Sequence, residues 1–130
     1  MTKNNNYTSK SFEGIEFLQI CKSDDVFEGK GRQILFDEDD DFQVAVFRIK
    51  GKLYALDNIC PHRHADRIFE GIIQDMTVMC PLHGWTYSIE TGQNVDLSQG
   101  IKSLNSHEVF ESEGYVYLKK PQFELPVWRR

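Results

Sequence analysis

Several features of membrane, exported and helical proteins are missing from this sequence. Nowhere in the 130 residues is there an apolar run near the roughly 18 residues that a membrane-spanning helix needs. Residues 1–11 are polar and rich in asparagine, without the apolar centre of a signal peptide. No segment of about ten residues has the spacing of an amphipathic helix. We therefore expect no membrane segment and a location in the cytoplasm.

Cysteine is scarce, and negative charge exceeds positive charge. The chain has three cysteines, an odd number that does not favour a disulfide framework. Cys21 is predicted to be a small buried residue at a strand end, with no redox role. The net charge of −5 disfavours nucleic acid and anionic membranes as partners. It favours a basic protein partner instead.

Short apolar runs, broken by turn residues at close intervals, fill the chain from Phe12 onward. This texture is typical of an all-β protein. The predicted strands span residues 15–21, 32–36, 42–50, 53–56, 76–80, 85–89, 107–110 and 115–118. Residues 23–25 are expected to form a turn or to cap one short helical turn, and residues 65–70 are compatible with one helical turn.

The chain has the usual length of one domain, which would bury roughly two thirds of its unfolded surface. We predict a flexible tail at residues 1–11, a single domain at 12–122 and a carboxyl-terminal tail at 123–130. The last segment is apolar, so it either covers a sheet edge or makes a docking or oligomer contact. The five carboxylates at 37–41 are expected in a solvated loop, or else in a docking patch for a basic redox partner.

Cysteine and histidine occur together in two short clusters, the strongest functional signal in the sequence. The first is Cys-Pro-His-Arg-His, with Cys60 and His62. The second is Cys-Pro-Leu-His-Gly-Trp, with Cys80 and His83. Thiolate and neutral imidazole are both good ligands for zinc and for iron. These four residues are therefore the candidate metal ligands.

Two kinds of metal site fit this donor set. Zinc would take all four side chains on one tetrahedral ion, whereas a mixed [2Fe–2S] cluster gives two cysteines to one iron and two histidines to the other. Structural zinc sites more often combine C-x-x-C with a helical H-x₃₋₅-H pair. Here each cluster supplies one cysteine and one histidine, which suits two irons because each loop must contact both of them.

The spacing Cys60-x-His62, a gap of residues 63–79 and Cys80-x-x-His83 resemble the signature of the Rieske [2Fe–2S] family. Gly84-Trp85 directly after the second histidine also resembles that family. The resemblance extends over about residues 12–121 and is most specific between 58 and 92.

This resemblance implies an antiparallel β sandwich or barrel, with a small cluster-binding subdomain inserted at about residues 58–92. It also implies one Rieske-type [2Fe–2S] cluster per chain. By analogy, Cys60 and Cys80 would hold the buried iron, and His62 and His83 the outer iron near the surface. His64 is a departure from the usual pattern, and we expect its side chain to face solvent.

Three differences among Rieske proteins indicate the subtype. The extra cysteines of respiratory members, which form a disulfide, are replaced here by Leu82 and by Arg63 or His64. Trp85 stands where those members place a serine hydroxyl, so the reduction potential is expected near the low end of the range, about −150 mV. The segment 83–87 resembles ring-hydroxylating oxygenases, but only His107 follows it as a further histidine.

The expected function is therefore that of a one-electron carrier and not an enzyme. It would be a small stand-alone Rieske-type ferredoxin that accepts electrons from a flavin reductase and passes them to an oxygenase or another reductase. One alternative is the related small subunit of an NAD(P)H nitrite reductase. A structural zinc-binding module is another, and it would be colourless where an iron–sulfur protein is red-brown.

Overall fold

The computed structural model describes residues 7–36, 42–59, 66–81, 84–95 and 103–121. The acidic segment 37–41 and the carboxyl-terminal segment 123–130, for which the sequence suggested specific roles, lie outside these ranges. The two helical segments of the described chain are single 3₁₀ turns at Ser23–Asp25 and Ile68–Glu70. Within the same ranges, no helix is long and apolar enough to cross a membrane.

Eleven β-strands lie in the described part of the chain. They are β1 (Thr8–Phe12), β2 (Ile15–Lys22), β3 (Gly31–Leu35), β4 (Gln43–Ile49), β5 (Lys52–Asp57), β6 (Ile72–Gln74), β7 (Thr77–Met79), β8 (Thr86–Ser88), β9 (Ser106–His107), β10 (Val109–Ser112) and β11 (Tyr115–Lys119).

Three antiparallel sheets are built from these strands. The first sheet has the order β1-β2-β11-β10, and the second has the order β3-β4-β5-β9. The third sheet, β6-β7-β8, has strands of only three residues each and falls between β5 and β9 in the sequence. The predicted all-β class and the small inserted subdomain are both confirmed.

Strand β4 explains how the three sheets pack together. Its side chains alternate between two faces, as in any β-strand. Val44 and Val46 point into a first core, which contains residues of the first and second sheets. Ala45 and Phe47 point into a second core, which contains residues of the third sheet. The second sheet is therefore covered on both faces, and its outer face supports the insert.

Arg48 on β4 links several segments on the side of the first core. Its guanidinium donates to both carboxylate oxygens of Glu111 on β10, at 2.9 and 3.0 Å. It also donates to the carbonyl oxygens of Val26, Ser23 and Gly51. The bond from Arg48 is the main cause that lowers the pKa of Glu111, and the same bond raises the pKa of Arg48. Arg48 thus joins the two large sheets with a bidentate ion pair.

Most predicted strands are confirmed to within a few residues at their ends, but the predicted tail at residues 1–11 is partly wrong. Thr8–Phe12 pairs with β2 along its whole length, and the Tyr7 hydroxyl donates to the Leu35 carbonyl at 2.7 Å. The physical reason is that a polar edge strand can be held by backbone hydrogen bonds to its neighbour and by the packing of one apolar side chain. Here that side chain is Phe12, whose ring makes edge contacts with the rings of Phe17 and Phe110.

Candidate metal centre

Of the four predicted ligands, only Cys80 lies within the described residues. Cys60 and His62, together with His64, fall in segment 60–65, and His83 falls in segment 82–83; both segments lie outside the described ranges. Within the described residues, the site consists of Cys80 and of the residues at which the two ligand loops begin and end.

Cys80 directly follows β7 and is completely buried. It belongs to the second core, together with Val78 of β7 and Tyr87 of β8. β7 is the central strand of the third sheet, so pairing on both sides fixes the direction in which the chain leaves it. Cys80 therefore lies at the inner edge of the insert, where it is shielded from water.

Backbone hydrogen bonds close the second ligand loop, which we define as residues 80–85. The Cys80 amide donates to the Trp85 carbonyl at 2.7 Å, and the Gly84 amide donates to the Cys80 carbonyl at 2.9 Å. Gly84 has φ +72°, a left-handed conformation that glycine adopts without steric cost. A Cβ there would lie 3.8 Å from Met79 Sδ, an ordinary contact. Glycine is therefore needed for conformation and not for space.

A buried side chain closes the base of the first ligand loop, residues 60–65. Asn58 follows β5 and is completely buried. Its Nδ2 donates to the Asp66 carbonyl at 3.1 Å and to Gln43 Oε1 at 2.9 Å. Its Oδ1 accepts the Phe69 amide at 2.8 Å. One amide side chain thus holds the residues that enter the loop to those that leave it.

Trp85 and Tyr87, which follow the second cysteine–histidine cluster in the sequence, both belong to the second core. Tyr87 is completely buried, and Trp85 is partly buried against the same group of residues. Arg67, which follows the first ligand loop, pairs with Glu70 at 3.1 Å on the surface. Trp85 and Tyr87 therefore pack in the core, and Arg67 forms a surface ion pair.

Cys21 and His107 lie on β2 and β9, outside the third sheet. Cys21 is half-buried on β2 against the first core, and burial raises the pKa of its thiol. His107 ends β9, and its Nε2 lies 2.7 Å from Asp57 Oδ1. The absence of a redox role for Cys21 stays a prediction.

Asn58 is the residue of this region that sequence reasoning missed. The only sequence signal for its role is its position, two residues before Cys60 at the end of an apolar strand. Asparagine is usually exposed, and turns contain it for many reasons. Its burial and its hydrogen bonds to Asp66 and Phe69, eight and eleven positions later, become visible only in the folded structure.

The fold is an antiparallel β sandwich with a small inserted sheet, and the buried Cys80 directly follows the central strand of that insert. The family model for the Rieske [2Fe-2S] domain matches residues 16–108, a range that includes both cysteine–histidine clusters. The chain belongs to this family. Its cofactor is accordingly a Rieske-type [2Fe–2S] cluster.

Among known proteins, the chain is similar to the ferredoxin component of the alkene monooxygenase system of Xanthobacter autotrophicus. They are 29% identical over 84 residues, which cover 65% of this chain and 66% of that protein. The chain thus spans slightly less than two thirds of the length of this relative.

Two solved structures share the fold. The first is from a complex of reduced oxygenase and oxidized ferredoxin in carbazole 1,9a-dioxygenase, with 29% identity, a TM-score of 0.69 and coverage of 78% of this chain and 99% of that one. The second is a putative NADH-dependent nitrite reductase small subunit from Mycobacterium tuberculosis. It has 23% identity, a TM-score of 0.71 and coverage of 82% and 96%, a likeness of fold alone.

The described part of the site fits such a cofactor. A cysteine buried among apolar side chains cannot easily carry an uncompensated thiolate charge, whereas a metal-bound thiolate shares its charge with the metal. Cys80 has this environment.

Proposed function

We propose that this chain is a one-electron carrier, the Rieske-type ferredoxin component of an oxygenase or of another multicomponent redox system. The observation that carries the proposal is the complete burial of Cys80 at the start of a backbone-closed loop, inside a matched Rieske domain. The cluster, when bound, supplies reversible one-electron oxidation and reduction.

In this proposal Cys60, His62, Cys80 and His83 hold the cluster. Cys60 and Cys80 would supply thiolate ligands, and the two histidines would supply neutral imidazole ligands. The second core around Cys80 excludes water from its sulfur. The Asn58 amide joins the residues before the first ligand loop to those after it, and backbone hydrogen bonds join the two ends of the second loop.

The proposed partners are a flavin reductase as donor and an oxygenase or reductase as acceptor. A ferredoxin of the same fold, 29% identical to this chain, has been captured with its oxygenase, which supports an acceptor of that kind. The net charge of −5 favours a basic docking surface on the partner. The chain would have no substrate site of its own. We also propose that the protein is located in the reducing cytoplasm, since two of the chain's three cysteines are assigned as thiolate ligands.

The test is metal analysis and electron paramagnetic resonance on freshly purified protein reduced with dithionite. We expect about two irons per chain and the signal of a reduced [2Fe–2S] cluster with mixed cysteine and histidine ligands. Oxidised protein should be red-brown and give no signal. One zinc per chain with no iron would overturn the proposal and leave a structural module.

A further inference from the structure

Asn58 combines complete burial with full use of its side-chain amide. Burying an amide without partners costs free energy, so buried amides persist where their hydrogen bonds are made. Nδ2 donates twice, to the Asp66 carbonyl and to Gln43 Oε1, and Oδ1 accepts the Phe69 amide. The backbone adds two further bonds, since the Ile68 amide donates to the Asn58 carbonyl and the Asn58 amide donates to the Gln43 carbonyl.

Gln43, the partner of Asn58 on β4, is itself held in place. Its Oε1 accepts a second bond from Gln33 Nε2 at 2.8 Å, and Gln33 lies on the neighbouring strand β3. Gln33 Nε2 also approaches Asp66 Oδ2 at 3.4 Å. The amide of Asn58 is therefore oriented by two strands of the second sheet, and the loop base is fixed to that sheet.

We propose that Asn58 is a positioning residue that fixes the first ligand loop, and with it Cys60 and His62, relative to the second sheet. The inference rests on the proposed function, because it assigns the loop to cluster binding. Asn58 would act through the loop and not as a ligand. It joins residue 58, two positions before Cys60, to residues 66–69, which directly follow the loop.

Removal of the side chain should act on the loop before it acts on the whole fold. Asn58→Ala leaves the Phe69 amide and the Asp66 carbonyl without their partner, while the two cores keep all their apolar side chains. The matched controls are Val116→Ala and Leu118→Ala, completely buried positions of the first core away from the insert. They lower global stability without changing any bond at the loop base.

The experiment follows the loss of visible absorption of the oxidised holoprotein in a chelator at 25 °C. We expect Asn58→Ala to lose its cluster about tenfold faster than controls of equal or lower thermal stability, since a lost hydrogen bond to a buried partner changes an opening equilibrium by that order. The paramagnetic resonance lines of the reduced variant should also broaden. Loss no faster than in the controls would overturn the inference.

Hydrogen exchange at the Phe69 amide separates this inference from the proposed function. In Asn58→Ala that amide should exchange at least about tenfold faster than in wild type, while amides of β11 are unchanged. Unchanged exchange at Phe69 would overturn the inference whatever metal the protein holds. Wild-type protein without iron would instead overturn the proposed function.

Discussion

The two ligand loops are anchored by different chemistry. The first is closed by one buried side chain, Asn58, and the second by backbone hydrogen bonds between Cys80, Gly84 and Trp85. A side-chain anchor can be removed by one substitution, whereas a backbone anchor persists unless the conformation changes. Two similar ligand motifs therefore need not be supported in the same way.

The largest effect is expected at the ligand that both the core and the second loop hold. Cys80→Ser should abolish cluster binding, because a serine hydroxyl is a poor substitute for a thiolate and metal binding is coupled to local folding. Iron content and visible absorption measure the loss. Cys21→Ser is the matched control and should retain a full cluster. A fully loaded Cys80→Ser protein would contradict the assignment.

Two arginine pairs test how burial and hydrogen bonding change the contribution of an ion pair. Arg48→Ala removes a mostly buried guanidinium and five hydrogen bonds and should cost about 2–3 kcal/mol of unfolding free energy. Arg67→Ala, in the exposed pair with Glu70 beside the first loop, should cost less than about 1 kcal/mol. Urea unfolding measures both. Equal costs would contradict the larger contribution assigned to the buried pair.

Two glycines are needed for different reasons, one at the anchor of the first loop and one within the second loop. A Cβ on Gly31 would lie 2.4 Å from the carbonyl oxygen of Phe69, which belongs to the anchor of the first loop. Gly31→Ala should therefore cost about 1–3 kcal/mol through overpacking and should speed cluster loss. Gly84→Ala has space and should cost about 1–2 kcal/mol from its positive φ alone.

The control for both glycines is Gly114→Ala, at φ +85° with no atom within 4 Å of the added methyl group. It lies in the hairpin between β10 and β11, away from the insert. It should show the same conformational cost as Gly84→Ala in urea unfolding and no change in cluster release. Faster release in Gly114→Ala would show that release reports global stability and not the loops.

The smallest effect is a pH dependence confined to the two large sheets. The hydrogen bond from Arg48 lowers the pKa of Glu111 in the folded state, so this pair stabilises the fold fully above the unfolded pKa of about 4.3. That contribution is lost as pH falls through the lowered folded value. The difference in unfolding free energy between wild type and Glu111→Gln should thus be constant near neutrality and shrink in acid. A difference that grows in acid would contradict the assignment.

The sequence was sufficient for the parts that repeat or that carry distinctive chemistry. Alternating apolar residues predicted β4, and paired cysteine and histidine predicted the metal site and its family. Thr8–Phe12 was missed because a polar edge strand has no apolar alternation to detect. Asn58 was missed because its role depends on Gln43 and Phe69, which reach it only after the strands pair and the loop returns.

A potentiometric titration of the purified protein, followed by paramagnetic resonance, tests the proposed electron-carrier function. We predict a single reversible one-electron couple near the low end of the Rieske range, about −150 mV, because Trp85 offers no hydroxyl where high-potential members place a serine. The absence of any reversible one-electron couple would contradict the electron-carrier function.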